Sequence, residues 1–195
     1  MRGVVLPHHH IRLRAGVKDD LKMWIGFLQE FNGVTMLVED SDWFWQIKIC
    51  SDASGANGFA LFWDGHWAAE AWPTSWKQVR HSIAFFEFFP FVVALAIWGP
   101  YLANRNVVFN VENQTVVYLV NLQRAKDERV LRLLRIFLLN CLRFNIMFKA
   151  RHVPGINNDI ADALSRFQWH RFRGLAPGAD VQKTAIPGEL WEIGE

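Results

Sequence analysis

Residues 46–72 constrain the fold most strongly, because this segment predicts three consecutive β-strands. In WQIKICSDAS, Ile47 and Ile49 alternate with Lys48 and Cys50, which is the period of a half-buried strand. The following GFALFWDGHWAAEAW contains two apolar runs joined by Asp-Gly, a dipeptide strongly preferred in two-residue hairpin turns. We therefore expect an antiparallel, three-stranded meander at the start of the folded domain.

Helical and extended patterns alternate after the meander. A buried helix is predicted from about residue 86 to residue 98, with Pro90 in its first turn and Gly99 at its end. NVVFNV and NIMFKA predict two further strands, whereas DERVLRLLRIFLLNCLRF and DIADALS predict helices. NQTVVYLVN also indicates a helix, although its β-branched residues suit a strand as well. The order βββ-α-β-α-α-β-α predicts a mixed α/β layer architecture with five strands.

The chain divides into three predicted segments. Residues 1–45 form an N-terminal extension, in which VKDDLKMWIGFLQEFNG has helical spacing, begins near Asp19 and ends at Gly33. Residues 46–168 form the α/β domain. Residues 169–195 form a C-terminal tail that turns Gly/Pro-rich and is expected to be loosely held.

The charge distribution indicates a polyanionic partner. Residues 123–173 contain eleven Lys/Arg and four Asp/Glu, a local charge of +7, whereas the remainder has ten against fifteen, or −5. A basic half of this kind suits nucleic acid, although solvated helix faces explain such charge equally well. The composition, 51% hydrophobic and 21% charged, excludes a disordered chain.

Neither a membrane span nor a cysteine-based metal site is predicted. The most apolar stretch, residues 83–98, is shorter than the roughly 20 residues that cross a bilayer, and it contains Glu87. The N-terminus has no apolar signal-peptide core. Cys50 and Cys141 have no further ligands at metal-binding spacing, so we expect two buried, reduced thiols in a cytoplasmic or nuclear protein.

Four acids fall near the ends of predicted elements: Asp52, Glu87, Glu112 and Asp162. Strand ends and neighbouring helix ends converge on one edge of an α/β sheet, where four carboxylates would repel one another. Divalent cations between them would remove that repulsion, and oxygen-only ligands favour Mg²⁺ or Mn²⁺. Two such ions, about 3.5–4 Å apart, can hold a phosphodiester for in-line attack by water.

Each acid also has an ordinary structural explanation. Asp52 would suit a turn, and Glu87 or Glu112 would be favoured by the dipole of a helix N-terminus. Asp162 would pair with Arg166 at the i, i+4 spacing of a helix. The metal hypothesis therefore depends on all four acids taken together on this topology.

Several motifs resemble the ribonuclease H domain of retroelement reverse transcriptases, of the DIRS-like or LTR-retrotransposon type. They are SDAS, the isolated Glu87 near a helix start, the acid followed by Asn113 after a strand, and HVPGINNDIADALSR. HHIRLRAGVKDDLKMWIGFLQEFNG and LAPGADVQKTAIP resemble the regions flanking this domain in DIRS-like elements. The resemblance implies an RNase H-like fold, with a mixed five-stranded sheet flanked by helices and an N-terminal helical extension.

The same resemblance implies a metal-dependent endoribonuclease that cleaves the RNA strand of RNA/DNA hybrids beside a polymerase region. The implied catalytic residues and ligands of two Mg²⁺ or Mn²⁺ ions are Asp52, Glu87, Glu112 and Asp162. Glu112 stands where the family usually has Asp, and a displacement of about 1 Å can cost on the order of 10²-fold in rate. The alternative is a weakly active or inactive module that binds nucleic acid or docks a polymerase.

A ribonuclease H distinguishes a hybrid by its shape and 2′-hydroxyls rather than by its bases. The predicted substrate-binding residues near the acids are Ser54, Gly55, Asn113, Gln114, Arg151, His152 and Arg166. Further candidates for backbone contacts are Lys126, Arg129, Arg132 and Lys149. Docking to a polymerase would use the aromatic N-terminal helix, with Trp24, Phe27 and Phe31.

Overall fold

The computed structural model describes residues 12–30, 45, 47–78 and 81–194, and they contain one five-stranded sheet. The strands are Ile47–Ser54 (β1), Gly58–Trp63 (β2), His66–Ala71 (β3), Asn106–Val111 (β4) and Met147–His152 (β5). Their order in the sheet is β3-β2-β1-β4-β5, with β1 and β2 antiparallel, β2 and β3 antiparallel, and β4 and β5 parallel to β1 and to each other. This is the mixed five-stranded sheet that the sequence predicts.

Helices flank both faces of the sheet and follow the predicted order, with two short helices in addition. The helices are Ala15–Glu30 (α1), Thr74–Gln78 (α2), Ile83–Trp98 (α3), Gln114–Leu122 (α4), Glu128–Arg143 (α5), Asp159–Ser165 (α6) and Trp169–Leu175 (α7). The two additional helices are α2 and α7, and α7 lies in the tail. Two 3₁₀ segments, Gly155–Asn157 and Gly188–Gly194, complete the described elements.

The predicted hairpin turn joins β2 to β3. Trp63 pairs with His66, so the loop has two residues, Asp64 with φ 50° and Gly65 with φ 88°. Positive φ at both central residues matches the right-handed twist of the flanking strands. The meander over residues 46–72 is thus confirmed within the described residues.

Two apolar cores lie on opposite faces of the sheet. The main core packs α3, α4 and α5 against side chains such as Ile49, Phe59 and Phe109, all fully buried. The smaller core packs α6 and α7 against the other face, with Leu164 and Phe172 fully buried. Because strand side chains alternate between faces, Cys50 and Asp52 point to the α6 side while Ile49 and Ser51 point to the other.

Helix α3 begins three residues earlier than predicted. Ser82 caps it by accepting a hydrogen bond from the Phe85 backbone N–H, and Pro90 lies inside the helix rather than in its first turn. Residues Ile83–Leu102 are long and apolar enough to cross a membrane, judged by length and composition alone. However, 61% of the most apolar part of this segment is buried inside the protein. In this fold it is the central helix of the main core, as expected for residues 83–98.

The N-terminal helix packs on α5 and begins at Ala15, before the aspartates predicted to start it. Arg135 of α5 donates to Asp20 (2.8 Å) and to the Gly16 carbonyl (3.1 Å). The predicted end of this helix at Gly33 lies outside the described residues. Of the two free thiols, Cys141 is buried as expected, whereas Cys50 is only partly buried.

The tail is packed against the domain, contrary to the expectation that it is loosely held. Asp180 N–H donates to the Gly65 carbonyl (3.0 Å), and Thr184 N–H donates to the Trp67 carbonyl (2.8 Å). Further on, the Trp76 indole N–H donates to the Trp191 carbonyl (3.1 Å). The boundaries of the three predicted segments stay a prediction.

Candidate active site

Two of the predicted acids lie side by side on the central parallel strands. In the parallel pair β1/β4, Cys50 is aligned with Asn110. Asp52 follows Cys50 by two residues, and Glu112 follows Asn110 by two, so both acids emerge at the same edge of the sheet. Asp52 is buried, and Glu112 is partly buried just after β4. The strand register therefore places these two acids at the same edge of the sheet.

Glu87 faces this pair from α3. Its Oε2 atom is buried and has no hydrogen-bond partner among the described residues. Burial, followed by repulsion from Asp52 and Glu112, raises the pKa of Glu87 from 4.5 to about 8. A carboxyl group with no partner inside a protein costs free energy when ionised. Among the acids of this edge, Glu87 is consequently the one whose ionised carboxylate would be stabilised most by a cation. Without a cation, its protonated form is favoured.

The Asp52 and Glu112 carboxyls have neutral hydrogen-bond donors that sequence reasoning missed. Burial raises the pKa of Asp52, partly offset by Ser165, whose hydroxyl donates to Oδ2 at 2.5 Å. Burial and repulsion from Asp52 raise the pKa of Glu112, opposed by a hydrogen bond from the Asn158 amide. Asn158, itself buried, also donates to the Ser51 carbonyl (2.9 Å). These donors hold the two carboxylates in position.

Asp162 reaches the same edge from α6, but both of its oxygens are paired. Arg166 Nε donates to Oδ1 at 2.5 Å, and Arg171 Nη1 donates to Oδ2 at 2.6 Å. Burial alone would raise the pKa of Asp162, but hydrogen bonds from the two arginines outweigh it and lower that pKa. The i, i+4 pairing with Arg166, weighed from the sequence as an ordinary explanation, is present.

The donor set fits a hard divalent cation in part. Asp52, Glu87 and Glu112 offer only carboxylate oxygens, the ligands that Mg²⁺ and Mn²⁺ prefer, and the unpartnered Glu87 Oε2 would gain a partner. Within the described ranges, however, no three His, Cys, Asp or Glu side chains are already grouped closely enough to hold an ion. Asp162 would have to exchange at least one arginine for the metal.

Gly155 makes room for the longer acid at position 112. A Cβ atom on Gly155 would lie 3.0 Å from Glu112 Oε2 and 3.1 Å from Oε1, which is closer than ordinary contact. The glycine belongs to the 3₁₀ turn between β5 and α6. A side chain at this position would therefore push against the Glu112 carboxylate.

The predicted substrate residues on β1 and α4 lie around this edge with different local roles. The Ser54 carbonyl accepts from the Trp72 indole (2.7 Å), and Gly55 is exposed in the following turn. A Cβ on Gly55 would meet no atom within 4 Å, so packing does not require glycine there. Asn113 caps α4 by accepting from the Thr115 N–H at 2.9 Å.

The predicted basic residues are distributed over several elements. His152 pairs in register with Val111, the residue before Glu112, so it lies at the acid edge, and Arg151 precedes it on β5. Both are exposed, as is Gln114 at the start of α4. Lys149 lies over the Trp45 ring, 4.5 Å from its centroid. Three further exposed candidates lie just before α5 or in its first two turns: Lys126, Arg129 and Arg132.

No protein-family model matches this chain, and no curated protein matches it. Among solved structures, it is similar to RNase H1 from the halophilic archaeon Halobacterium salinarum NRC-1, with TM-score 0.45 and 17% identity over 64% of this chain and 97% of that one. It is also similar to the N-terminal RNase H domain of rv2228c from Mycobacterium tuberculosis, with TM-score 0.48 and 15% identity over 67% of this chain and 99% of that one. Strand order, strand direction and helix placement define the fold of this chain.

Proposed function

We propose that this chain is a metal-dependent endoribonuclease that cleaves the RNA strand of RNA/DNA hybrids. The observation that carries the proposal is the meeting of Asp52, Glu87 and Glu112 at one sheet edge, with a buried Glu87 oxygen that has no partner among the described residues. Like-charged carboxylates at one sheet edge repel one another unless a cation lies between them. An arrangement of this kind suits metal-assisted hydrolysis of a phosphodiester.

The chain's own residues would hold the cations and fix the geometry. Two Mg²⁺ or Mn²⁺ ions would supply charge neutralisation and an activated water for in-line displacement. Asp52 and Glu112 would bind them from adjacent strands, while Ser165 and Asn158 keep those carboxylates oriented. Glu87 would bind from α3, and Asp162 from α6 would complete the four-acid set.

The surroundings of the acids support a nucleic-acid substrate. Arg151 and His152 are exposed beside the edge, and the segment of residues 123–173 carries the local charge of +7. Exposed cations near a hydrolytic edge attract the phosphate backbone irrespective of base sequence. Recognition of a hybrid would then depend on groove shape and 2′-hydroxyls, and Asn113 and Gln114, which directly follow Glu112, would contact those hydroxyls.

The proposed setting is a retroelement reverse transcriptase in the cytoplasm or nucleus. This part of the proposal depends on the sequence motifs described above. Helix α1 is compatible with a polymerase region as partner, since Trp24 is 51% exposed and Leu28 is 64% exposed. Phe27 is partly buried, and Phe31 lies outside the described residues.

A cleavage assay tests the proposed activity. Purified protein is incubated with a hybrid labelled on its RNA strand, in Mg²⁺ or Mn²⁺, beside duplex DNA and duplex RNA as controls. We expect cleavage of the hybrid alone, and a loss of at least 10²-fold in Asp52→Asn. Equal cleavage by Asp52→Asn would remove that residue from the mechanism, and cleavage of all three duplexes would exclude hybrid specificity.

A second candidate, a nucleic-acid-binding module of low or no turnover, is favoured by two observations. Glu112 carries a carboxylate one methylene longer than the Asp usual in the resembling family, and Asp162 is paired with two arginines. Binding of hybrid in EDTA without cleavage in either metal would support this candidate. Cleavage restored by Glu112→Asp would then locate the defect at that side chain.

A further inference from the structure

Arg171 connects the tail helix α7 to the N-terminal turn of α6. Its Nη1 donates to Asp162 Oδ2 (2.6 Å) and to Gln168 Oε1 (3.0 Å), and its Nη2 donates to Asp159 Oδ1 (2.5 Å). One guanidinium therefore bridges two carboxylates one turn apart. Arg171 follows the segment that carries the RNase H-like motifs, and sequence reasoning assigned it no role.

The partners of Asp162 differ in kind from those of the other acids. Asp52 and Glu112 accept from the neutral donors Ser165 and Asn158. Both oxygens of Asp162 instead accept from guanidinium groups, so this carboxylate is already compensated by positive charge. A divalent cation arriving at Asp162 would meet that charge at contact distance and be repelled by it.

Arg166 and Arg171 differ in how readily each guanidinium group can move away from the Asp162 carboxylate. Arg166 is the C-cap residue of α6, four residues after Asp162, and within the described residues its ion pair is with Asp162. Arg171 reaches across from another helix and retains Asp159 as a partner if it releases Asp162. Of the two guanidinium groups, Arg171 is the one that can withdraw from Asp162 without losing all its charged partners.

We propose that Arg171 is a positioning residue that holds Asp162 in the place of a cation, so that metal entry displaces the Arg171–Asp162 pair. This inference rests on the proposed function, because it assumes that Asp162 is a metal ligand. In the metal-free protein Arg171 keeps Asp162 at the acid edge, and it weakens metal binding by competing for the same carboxylate. The tail thereby sets the metal affinity of the edge.

Metal binding measured directly tests the inference. Isothermal titration with Mn²⁺, without nucleic acid, compares wild type with Arg171→Gln, which removes the competing charge. We expect roughly three- to tenfold tighter binding in the variant, the range for one exposed charge pair close to a dication. The matched control is Arg105→Gln, at the opposite end of β4, and it should stay within about twofold of wild type.

Thermal unfolding of the same proteins separates metal competition from a purely structural clamp. In EDTA, Arg171→Gln should unfold at or slightly below the wild-type temperature, and saturating Mn²⁺ should raise its unfolding temperature by more than that of wild type. Arg171→Lys keeps the charge and is expected to bind Mn²⁺ within about threefold of wild type. If the glutamine variant folds poorly, Arg171→Met, which also removes the charge, replaces it in the binding test with the same expected result.

The outcomes distinguish this inference from the proposed function. If Mn²⁺ binds wild type, is lost in Asp52→Asn, and binds Arg171→Gln no more tightly than wild type, then Arg171 is not a competitor and the proposed function stands. Weaker binding in Arg171→Gln would likewise overturn the inference. If neither wild type nor any variant binds Mn²⁺ at millimolar concentration, both the proposed function and the inference fail.

Discussion

Replacing Glu87 by Gln is expected to flatten the pH dependence of folding stability in the metal-free protein. Burial and two neighbouring acids raise the pKa of Glu87 from 4.5 to about 8. Since the folded state holds this proton more tightly than the unfolded chain does, its contribution to stability is fully present below pH 4.5. That contribution is lost progressively as the pH rises from there to about 8.

The size of the effect follows from the two pKa values. Their difference of about 3.5 corresponds to roughly 5 kcal/mol, since one pH unit is worth 1.36 kcal/mol. Between pH 5 and 8 the wild-type free energy of unfolding should therefore fall by about 3.5 kcal/mol. Raised pKa values at Asp52 and Glu112 act in the same direction, whereas the lowered pKa of Asp162 matters only below about pH 4.

Urea unfolding followed by tryptophan fluorescence, in EDTA at pH 5, 6, 7 and 8, measures this slope. Glu87→Gln should lose less than about half as much stability as wild type over that range. Glu128→Gln, an exposed glutamate at the start of α5, is the matched control and should keep the wild-type slope. Added Mn²⁺ should flatten the wild-type curve, because a bound cation stabilises the ionised carboxylate.

Two results would refute this reasoning. Wild-type stability that is constant or rises between pH 5 and 8 in EDTA would show that Glu87 is not a desolvated, unpaired acid. A Glu87→Gln variant with the full wild-type slope would show that the proton belongs to another group.

Three further predictions concern packing around the site and in the tail. Gly155→Ala should slow hybrid cleavage roughly fourfold, because the added Cβ would displace the Glu112 carboxylate by a few tenths of an ångström. The same substitution should have no effect in a Glu112→Asp background. Steady-state kinetics of wild type, the two single variants and the double variant will check both expectations. Trp191→Ala should lower the free energy of unfolding by about 2–4 kcal/mol, because the Trp191 ring packs on buried aromatic rings. Trp169 is 46% exposed, so Trp169→Ala should lower it by less than about half of that amount. Equal losses in urea unfolding would contradict the packed tail. Ser165→Ala should cost about 1–3 kcal/mol by leaving a buried carboxyl oxygen without its donor, and a neutral result at pH 7 would show that the hydrogen bond contributes little.

The order of strands and helices could be predicted because it depends on local patterns. Period-2 alternation, the Asp-Gly turn and the apolar helices are each visible within about 15 residues. The start of α3 could not be predicted in the same way. Proline is disfavoured inside helices, so the prediction put Pro90 in the first turn of α3. In the structure, burial of Phe85, Phe88 and Phe89 outweighs the roughly 3 kcal/mol that an internal proline costs.

The four acids of the candidate site could be proposed from the sequence because strand ends converge on one sheet edge. Their partners depend on tertiary packing that no local pattern encodes. Ser165 meets Asp52, and Arg171 meets Asp162, only because α6 and α7 pack together on one face of the sheet. The packed tail was missed for the same reason, since Trp191 meets Trp76 across more than a hundred residues of chain.

Asp180 N–H donates to the Gly65 carbonyl in the hairpin turn, and Thr184 N–H donates to the Trp67 carbonyl in β3, and these bonds bear on self-association of the protein. β3 is the last strand on its side of the sheet, and an uncovered outer strand offers its amides and carbonyls to other chains. The tail covers that strand. The Trp67 indole N–H donates to the Asp180 carbonyl, and the Arg173 guanidinium lies over the Trp67 ring. A version of the protein shortened to residue 168 would be expected to self-associate through this uncovered strand, even though every acid of the candidate site is retained.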